Sequence, residues 1–177
     1  GGIGPDGHIG FNVRGSDHFS TTRLTGVNYE TQAAAAGDLG GIEVARKRLV
    51  ITIGLGTIAS DPDGVALIVA AGEAKAAIVR AAVEEQADVR YPASALHQMP
   101  QARFYVTQGA AKLLTERQRV LLEQRREIDD EIVEQIAVDL ACGLGKKVVD
   151  LTAADFAADA LGSVVLHRRP EAADALG

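Results

Sequence analysis

Apolar runs that end at glycines divide the first part of this chain into candidate elements. Residues 49–53 and 65–71 are two such runs, and they predict strands, the first as a buried strand or a strand-like turn. From residue 75 to 85 small and apolar side chains recur at helical spacing, and residues 103–106 predict a further strand. Strand, tight turn and helix in this order form half of a βαβ unit, which favours an α/β protein.

The later part of the chain has the pattern of helices. Residues 110–126 and 128–142 predict two of them, and glycines after the second are typical of a helix end. An apolar stripe at helical spacing in the second helix favours packing on the rest of the protein. The stripe consists of Ile128, Ile132, Val133, Ile136 and Leu140.

Capping residues place two short helices. Asn28 predicts the start of a helix over residues 29–36, which Gly37 then stops. Thr152 and Asp155 predict a capping pair at the start of a final short helix that reaches Leu161. We expect the last residues, from position 164 on, to be loosely held.

Composition and charge narrow the class of protein. The 177 residues suffice for one core and an appendage, and 47% hydrophobic with 24% charged residues is ordinary for a globular protein. The formal net charge of −6 argues against a general nucleic-acid surface, which needs clustered Lys and Arg. We expect no nucleic acid as a partner. A small anionic substrate needs only a local positive site.

Cys142 is the single cysteine and cannot form an intramolecular disulfide. The chain shows no signal-peptide pattern and no apolar run of about eighteen residues, so we expect a cytoplasmic protein without membrane contact. Cys142 falls in a helical pattern beside Leu140 and Ala141, which favours a buried, unreactive thiol.

The glycine-rich opening of the chain carries the candidate chemistry. Asp6 and His8 stand two positions apart, so an extended segment would place them on one face, with Ile9 and Phe11 on the opposite face. Glycines at three positions around them permit positive φ or close approach of a ligand. We expect a ligand directly against this turn. A strand should precede such a turn, so we expect a fragment whose preceding half is missing.

A metal site is the competing use of aspartate and histidine. No third ligand stands at helical or loop spacing near Asp6 and His8. The remaining histidines, His18, His97 and His167, are scattered along the chain. We therefore expect no metal and no other cofactor.

The residues from Gly4 to Asn12 resemble the signature of the glucosamine-6-phosphate deaminases, also called isomerases. The match continues in order and spacing to about residue 113. The resemblance implies a Rossmann-like α/β fold, with a parallel sheet and flanking helices, of which residues 1–113 are a partial domain; a helical extension over residues 114–177 follows. The further matching segments are residues 22–25, 28–32, 53–58, 72–76, 82–84 and 92–96.

The resemblance also implies a reaction and roles for three residues. The family converts glucosamine 6-phosphate and water to fructose 6-phosphate and ammonia by ring opening and acid–base catalysis. His8 would carry protons between the anomeric hydroxyl and the ring oxygen, with Asp6 orienting the imidazole. Lys75 matches the family's phosphate-binding lysine at a helix N-terminus. The implied partner is a small-molecule sugar phosphate, and we expect a homo-oligomer in the full-length parent.

Departures from the family pattern leave other functions open. Val13 stands where the family has a glutamate that completes the ring-opening group, and Gly37 where a lid arginine helps to hold the phosphate. Ser16 and Arg23 match positions that bind an allosteric effector or anion in some members, but Thr25 replaces a neighbouring lysine. We expect this fragment alone to be inactive as a deaminase. A degenerate sugar-phosphate-binding or regulatory module and a 6-phosphogluconolactonase-like hydrolase remain as alternatives.

Overall fold

The computed structural model describes residues 1–38 and 40–172. The chain divides into two units, Gly1–Leu113 and Leu114–Gly177. The first unit mixes strands and helices, with 3₁₀ turns at Glu73–Lys75 and Pro92–Gln98. Its elements in chain order are β1 (Arg23–Thr25), α1 (Tyr29–Ala34), α2 (Ile42–Ala45), β2 (Val50–Thr52), α3 (Leu55–Ile58), β3 (Leu67–Ala70), α4 (Ala76–Glu84) and β4 (Arg103–Val106).

A complete βαβ unit forms the centre of the first unit. Strands β3 and β4 pair in parallel, with Leu67 opposite Arg103, and α4 lies in the connection between them. The beginning of the chain runs parallel to β3 on its other side, because the amide of Val69 donates to the carbonyl of Gly1 at 2.8 Å and Gly2 bridges the same residue. The predicted α/β class, with its small parallel sheet, is confirmed.

One face of this sheet is buried and the other is open. In β3, Ile68 and Ala70 are buried, whereas Leu67 and Val69 on the alternate face are exposed. Tyr105 of β4 adds to the exposed apolar face. Parallel sheets are usually covered on both faces. In this sheet the described residues of the first unit leave the face with Leu67, Val69 and Tyr105 uncovered.

The segment 49–53 differs from its prediction as a buried strand. Its central residues form β2, which pairs antiparallel with β1 in a two-stranded ribbon. Ile51 and Ile53 are exposed, and the buried side chain is that of Thr52 between them. A ribbon with one face against the protein buries only alternate residues. The continuous run of apolar residues therefore does not mean that all of them are buried.

The second unit consists of helices in its described part. They are α5 (Thr115–Gln124), α6 (Asp130–Leu144), α7 (Ala153–Ala158) and α8 (Ala160–Arg168). The stripe predicted on α6 faces the core of this unit, where Val133, Ile136 and Ala137 are buried. Gly145 ends α6 in the left-handed conformation, with φ of 65°.

The prediction for the end of the chain is wrong beyond the capping pair. Helix α7 ends before Leu161, because Asp159 begins a new helix by accepting hydrogen bonds from the amides of Leu161 and Gly162 at 2.9 and 2.7 Å. Val164 and Val165 of α8 are buried in the core of the unit, so they are not loosely held. Residues 173–177 lie outside the described part of the chain.

The prediction for Cys142 is wrong as well. Its side chain is exposed, because Cys142 lies one helical turn after the exposed Val138 on the outer side of α6.

Within residues 1–38 and 40–172, no helix combines the length and apolar character that crossing a bilayer requires.

The predicted capping pair at Thr152 is confirmed, and it places the charged carboxylate of Asp155 in the first turn of α7. The amide of Thr152 donates to Asp155 Oδ2 at 2.8 Å, and the amide of Asp155 donates to Thr152 Oγ1 at 3.3 Å. The ammonium of Lys146 donates to Asp155 Oδ1 at 2.6 Å. The hydrogen bond from Lys146, followed by those from Thr152, lowers the pKa of Asp155 from its ordinary 3.8 to about 2.

We predict that Asp155→Asn weakens the acid dependence of folding. Because the folded-state pKa is lowered, the ionised carboxylate stabilises the fold above about pH 4, and this contribution is lost as the pH falls towards 2. Chemical unfolding at a series of pH values should show a lower stability at pH 7 and a flatter slope between these limits. Asp150→Asn, at an exposed carboxylate, is the control. Equal slopes for both variants would contradict the assignment.

Candidate active site

A tight turn at the beginning of the chain folds His8 back over Gly4. The amide of Gly4 donates to the carbonyl of His8 at 2.9 Å, and the amide of Gly7 donates to the carbonyl of Gly4 at 3.0 Å. Gly7 has φ of 82°, a conformation that favours glycine. A Cβ atom built on Gly4 would lie 1.9 Å from Cε1 of the His8 ring. The absence of a side chain at Gly4 therefore makes room for the imidazole.

Asp6 and His8 form a close pair. Nδ1 of His8 lies 2.5 Å from Oδ1 of Asp6. Asp6 is 3% exposed, whereas the side chain of His8 is 16% exposed. The second carboxylate oxygen of Asp6 accepts from Asn28 Nδ2 at 2.6 Å and from the amide of Arg14 at 3.3 Å. The buried carboxylate thus has hydrogen-bond partners on both oxygens, and the imidazole is its link to the surface.

Opposing effects set the charge of Asp6. Burial of the carboxylate by itself raises its pKa, but the hydrogen bonds from Asn28 and His8, the charge of His8 and the amide of Arg14 together bring the pKa below its ordinary value. Asp6 is therefore an anion at neutral pH. An anion at Nδ1 favours the tautomer whose proton lies on that nitrogen, which leaves Nε2 free to accept a proton.

His8 and Lys75 line the same pocket, which has a volume of about 400 Å³. Lys75 reaches it from the end of the 3₁₀ turn that leads into α4, and its Nζ donates to the carbonyl of Ile3. An ammonium group has three donors, so others remain for a ligand. The lining residues are Gly2, Ile3, Gly4, Pro5, His8, Gly10, Phe11, Thr31, Ala34, Ala35, Asp38 and Lys75.

The predicted separation of faces in the opening segment is only half right. Ile9 is buried, as expected, but Phe11 lines the pocket together with His8. The reason is the positive φ of Gly10, 60°, which turns the chain so that the amide of Asn12 donates back to the carbonyl of Ile9 at 3.1 Å. Alternation of faces requires an extended strand and is lost across such a turn.

Ser16 and Arg23, the candidate effector contacts, lie together outside the residues that line the pocket. The guanidinium of Arg23 donates to Ser16 Oγ at 3.1 Å, to Ser20 Oγ at 2.9 Å and to the buried Asn12 Oδ1 at 2.9 Å. Asn12 Nδ2 in turn donates to the carbonyl of Ile53 at 2.7 Å. These contacts give Arg23 a structural role in holding the loop after the opening turn, and binding of an effector there stays a prediction.

Other residues at the site had no role in the sequence-based hypothesis. Thr31 and Asp38 line the pocket, and the side-chain amide of Asn28 donates a hydrogen bond to Asp6. The sequence indicates Asn28 only as a helix cap, and its side-chain amide nitrogen gives no sequence signal for a contact with Asp6. Asp38 follows Gly37, where the resemblance implies a lost arginine, so the pocket has a carboxylate beside that position.

Among the described residues, no group of three or more His, Cys, Asp or Glu side chains could hold a metal ion.

The fold and the pocket define an α/β protein in which a histidine paired with a buried aspartate shares one cavity with a lysine. No protein-family model matches the chain. A glucosamine-6-phosphate deaminase of Giardia intestinalis is 34% identical over 113 residues, which are 64% of this chain and 42% of that protein. For a deaminase of Rhodopirellula baltica the values are 37% over 116 residues, 66% and 45%. A Corynebacterium aurimucosum deaminase is 35% identical over 127 residues, 72% and 49%.

A solved structure gives the same relationship. A monomeric glucosamine-6-phosphate deaminase of the NagB superfamily matches with a TM-score of 0.56 and 34% identity, covering 63% of this chain and 45% of the other. Over the matched stretch the chain is therefore similar in sequence and in fold to glucosamine-6-phosphate deaminases, and the resemblance found in its sequence is confirmed. It spans about half the length of the curated relatives it matches.

We predict that Gly4→Ala displaces the His8 ring. The added methyl group would occupy the space of Cε1, so the imidazole must leave Asp6 or the turn must shift. Gly2→Ala is the matched control, because a Cβ there meets its nearest neighbour at 3.8 Å. The imidazole resonances of His8 in NMR spectra should change in Gly4→Ala and stay as in the parent chain in Gly2→Ala. Unchanged resonances in both would show that the ring is not seated on Gly4.

Proposed function

We propose that this pocket binds glucosamine 6-phosphate and opens its pyranose ring, as the ring-opening part of a deaminase that forms fructose 6-phosphate and ammonia. One observation carries the proposal. His8 and Lys75 line a single cavity, and Oδ1 of Asp6 lies 2.5 Å from Nδ1 of His8. The names of the relatives support this choice of substrate. The proposal includes a cytoplasmic location and a homo-oligomeric full-length parent.

The Asp–His pair suits the proton transfers of ring opening. Nε2 of His8 removes the proton of the anomeric hydroxyl, and the imidazolium returns a proton to the ring oxygen as the bond between C1 and that oxygen breaks. The electron pair of the anomeric oxygen forms the new C=O bond, which gives the open-chain aldehyde. Asp6 stabilises the imidazolium between the two steps and keeps the ring in place.

Lys75 suits the phosphate of the same substrate. Its ammonium group is a charged donor at the beginning of α4, where free backbone N–H groups and the helix dipole also favour an anion. Lys75 and His8 border one cavity, so a six-carbon sugar phosphate can reach the lysine with its phosphate while its anomeric end faces the imidazole.

Deamination needs a further step for which the family uses an acid outside this chain. A proton must leave C2 of the open-chain sugar and a proton must be added to C1, which converts the C1 aldehyde and C2 amine into a C1 hydroxymethyl group and a C2 imine. Water then adds to C2, and ammonia leaves as the C2 ketone of fructose 6-phosphate forms. The proposal assigns that step to the part of the relatives that this chain does not cover. The chain by itself should therefore interconvert the anomers of the sugar phosphate without releasing ammonia.

The first test removes the ammonium group from the pocket. Lys75→Met should weaken calorimetric binding of glucosamine 6-phosphate about 10- to 100-fold, the loss of one charged hydrogen bond of about 1.5–3 kcal/mol. Binding of glucosamine, which lacks the phosphate, should not change. Lys112→Met is the control, because Lys112 pairs with Glu73 on the surface. Equal affinities for the phosphosugar in the parent chain and in Lys75→Met would contradict the phosphate role.

The second test isolates ring opening. The chain should accelerate exchange between the α and β anomers of glucosamine 6-phosphate in NMR exchange spectra, and His8→Gln should lower this acceleration by about 100-fold or more, the usual contribution of a general acid–base group. Binding should remain in His8→Gln, since Lys75 is intact. His167→Gln, at an exposed histidine of α8, is the control. Binding of the phosphosugar without any acceleration would instead indicate a sensing module.

A further inference from the structure

Asn28 connects two parts of the site with one side chain. Its Oδ1 accepts from the amide of Thr31 at 3.1 Å and thereby caps α1. Its Nδ2 donates to Oδ2 of Asp6 at 2.6 Å. The same amide group therefore begins the helix and holds the far oxygen of the carboxylate whose near oxygen contacts His8.

Thr31 makes a second connection from the first turn of α1. The residue is 1% exposed, and its Oγ1 lies 3.3 Å from Nδ1 of His8. Nδ1 is already 2.5 Å from Asp6, so the threonine side chain lies beside the Asp–His contact and helps to shield it from water. Thus α1 and its capping residue together contact both members of the pair.

Helix α1 also forms a wall of the pocket. Thr31, Ala34, Ala35 and Asp38, from α1 and the turn after it, line the cavity that His8 and Lys75 share. A helix of six residues has little stability of its own in water, so α1 depends on its cap and its tertiary contacts. The folding of α1 is therefore sensitive to contacts at both ends of the helix.

We propose that Asn28 and Thr31 are positioning residues that hold the imidazole of His8 against Asp6 only while α1 is folded, so that assembly of the Asp–His pair is coupled to the helix that walls the pocket. A catalytic meaning of this coupling rests on the proposed function, but the coupling itself does not. The other charged groups that border the same cavity are Lys75 and Asp38, and the substitutions below leave both unchanged.

The experiment follows the proton on Nδ1 of His8 in the free chain, without substrate. In 15N-histidine-labelled protein, the His8 resonance is assigned by its loss in His8→Gln, and the exchange of its Nδ1 proton with water is measured. Asn28→Ser keeps a good helix cap but is too short to maintain the contact with Asp6. Thr31→Val removes the hydroxyl at nearly constant shape, and Thr31→Ser restores it.

We expect exchange of this proton to be about tenfold faster in Asn28→Ser and in Thr31→Val, the effect of losing about one net hydrogen bond. Thr31→Ser should return towards the rate of the parent chain. Tyr29→Ala, at an exposed position of α1, is the control and should leave the rate unchanged. Rates equal to that of the parent chain in both Asn28→Ser and Thr31→Val would overturn the proposal.

A second measurement covers variants that fail to fold. In the parent chain, exchange of the α1 amides and of the His8 Nδ1 proton is followed over temperatures below global unfolding. The proposal expects both to accelerate together. Opening of α1 with an unchanged Nδ1 proton would overturn it. Failed binding of glucosamine 6-phosphate would affect the proposed function and leave this result intact.

Discussion

The buried carboxylate of Asp6 is the group on which the rest of the site depends. An anion with 3% exposure is costly unless each oxygen is hydrogen-bonded, and Asp6 meets this condition with donors from three segments of the chain. His8 comes from the opening turn, Asn28 from the start of α1 and the amide of Arg14 from the following loop. One charge thereby fixes the position of the imidazole, of a helix and of a loop.

The scaffold explains why Lys75 reaches the same place. The first residues run parallel to β3, and the chain leaves β3 through the turn that carries Lys75 into α4. Neighbouring parallel strands end at the same edge of a sheet, so the opening turn and the lysine turn meet there. The carbonyl of Ile3 accepts from Lys75 and makes this meeting a direct contact.

Sequence reasoning reached the elements and residues whose signals are local. The βαβ order, the caps at Asn28 and Thr152 and the pairing of Asp6 with His8 depend on neighbours a few positions apart. Contacts across the chain gave no such signal: Asn28 meets Asp6 over a separation of 22 positions. Positive φ at Gly10 also changed the face of Phe11, and such a turn cannot be derived from the alternation of apolar letters.

The central claim is that one ligand contacts both His8 and Lys75, and a crystal structure of the chain with glucosamine 6-phosphate tests it most directly. The account predicts the phosphate against the ammonium of Lys75 and the beginning of α4, with the anomeric oxygen within hydrogen-bond distance of Nε2 of His8. A phosphosugar bound elsewhere on the chain, or one in the pocket with its anomeric end turned away from His8, would contradict it.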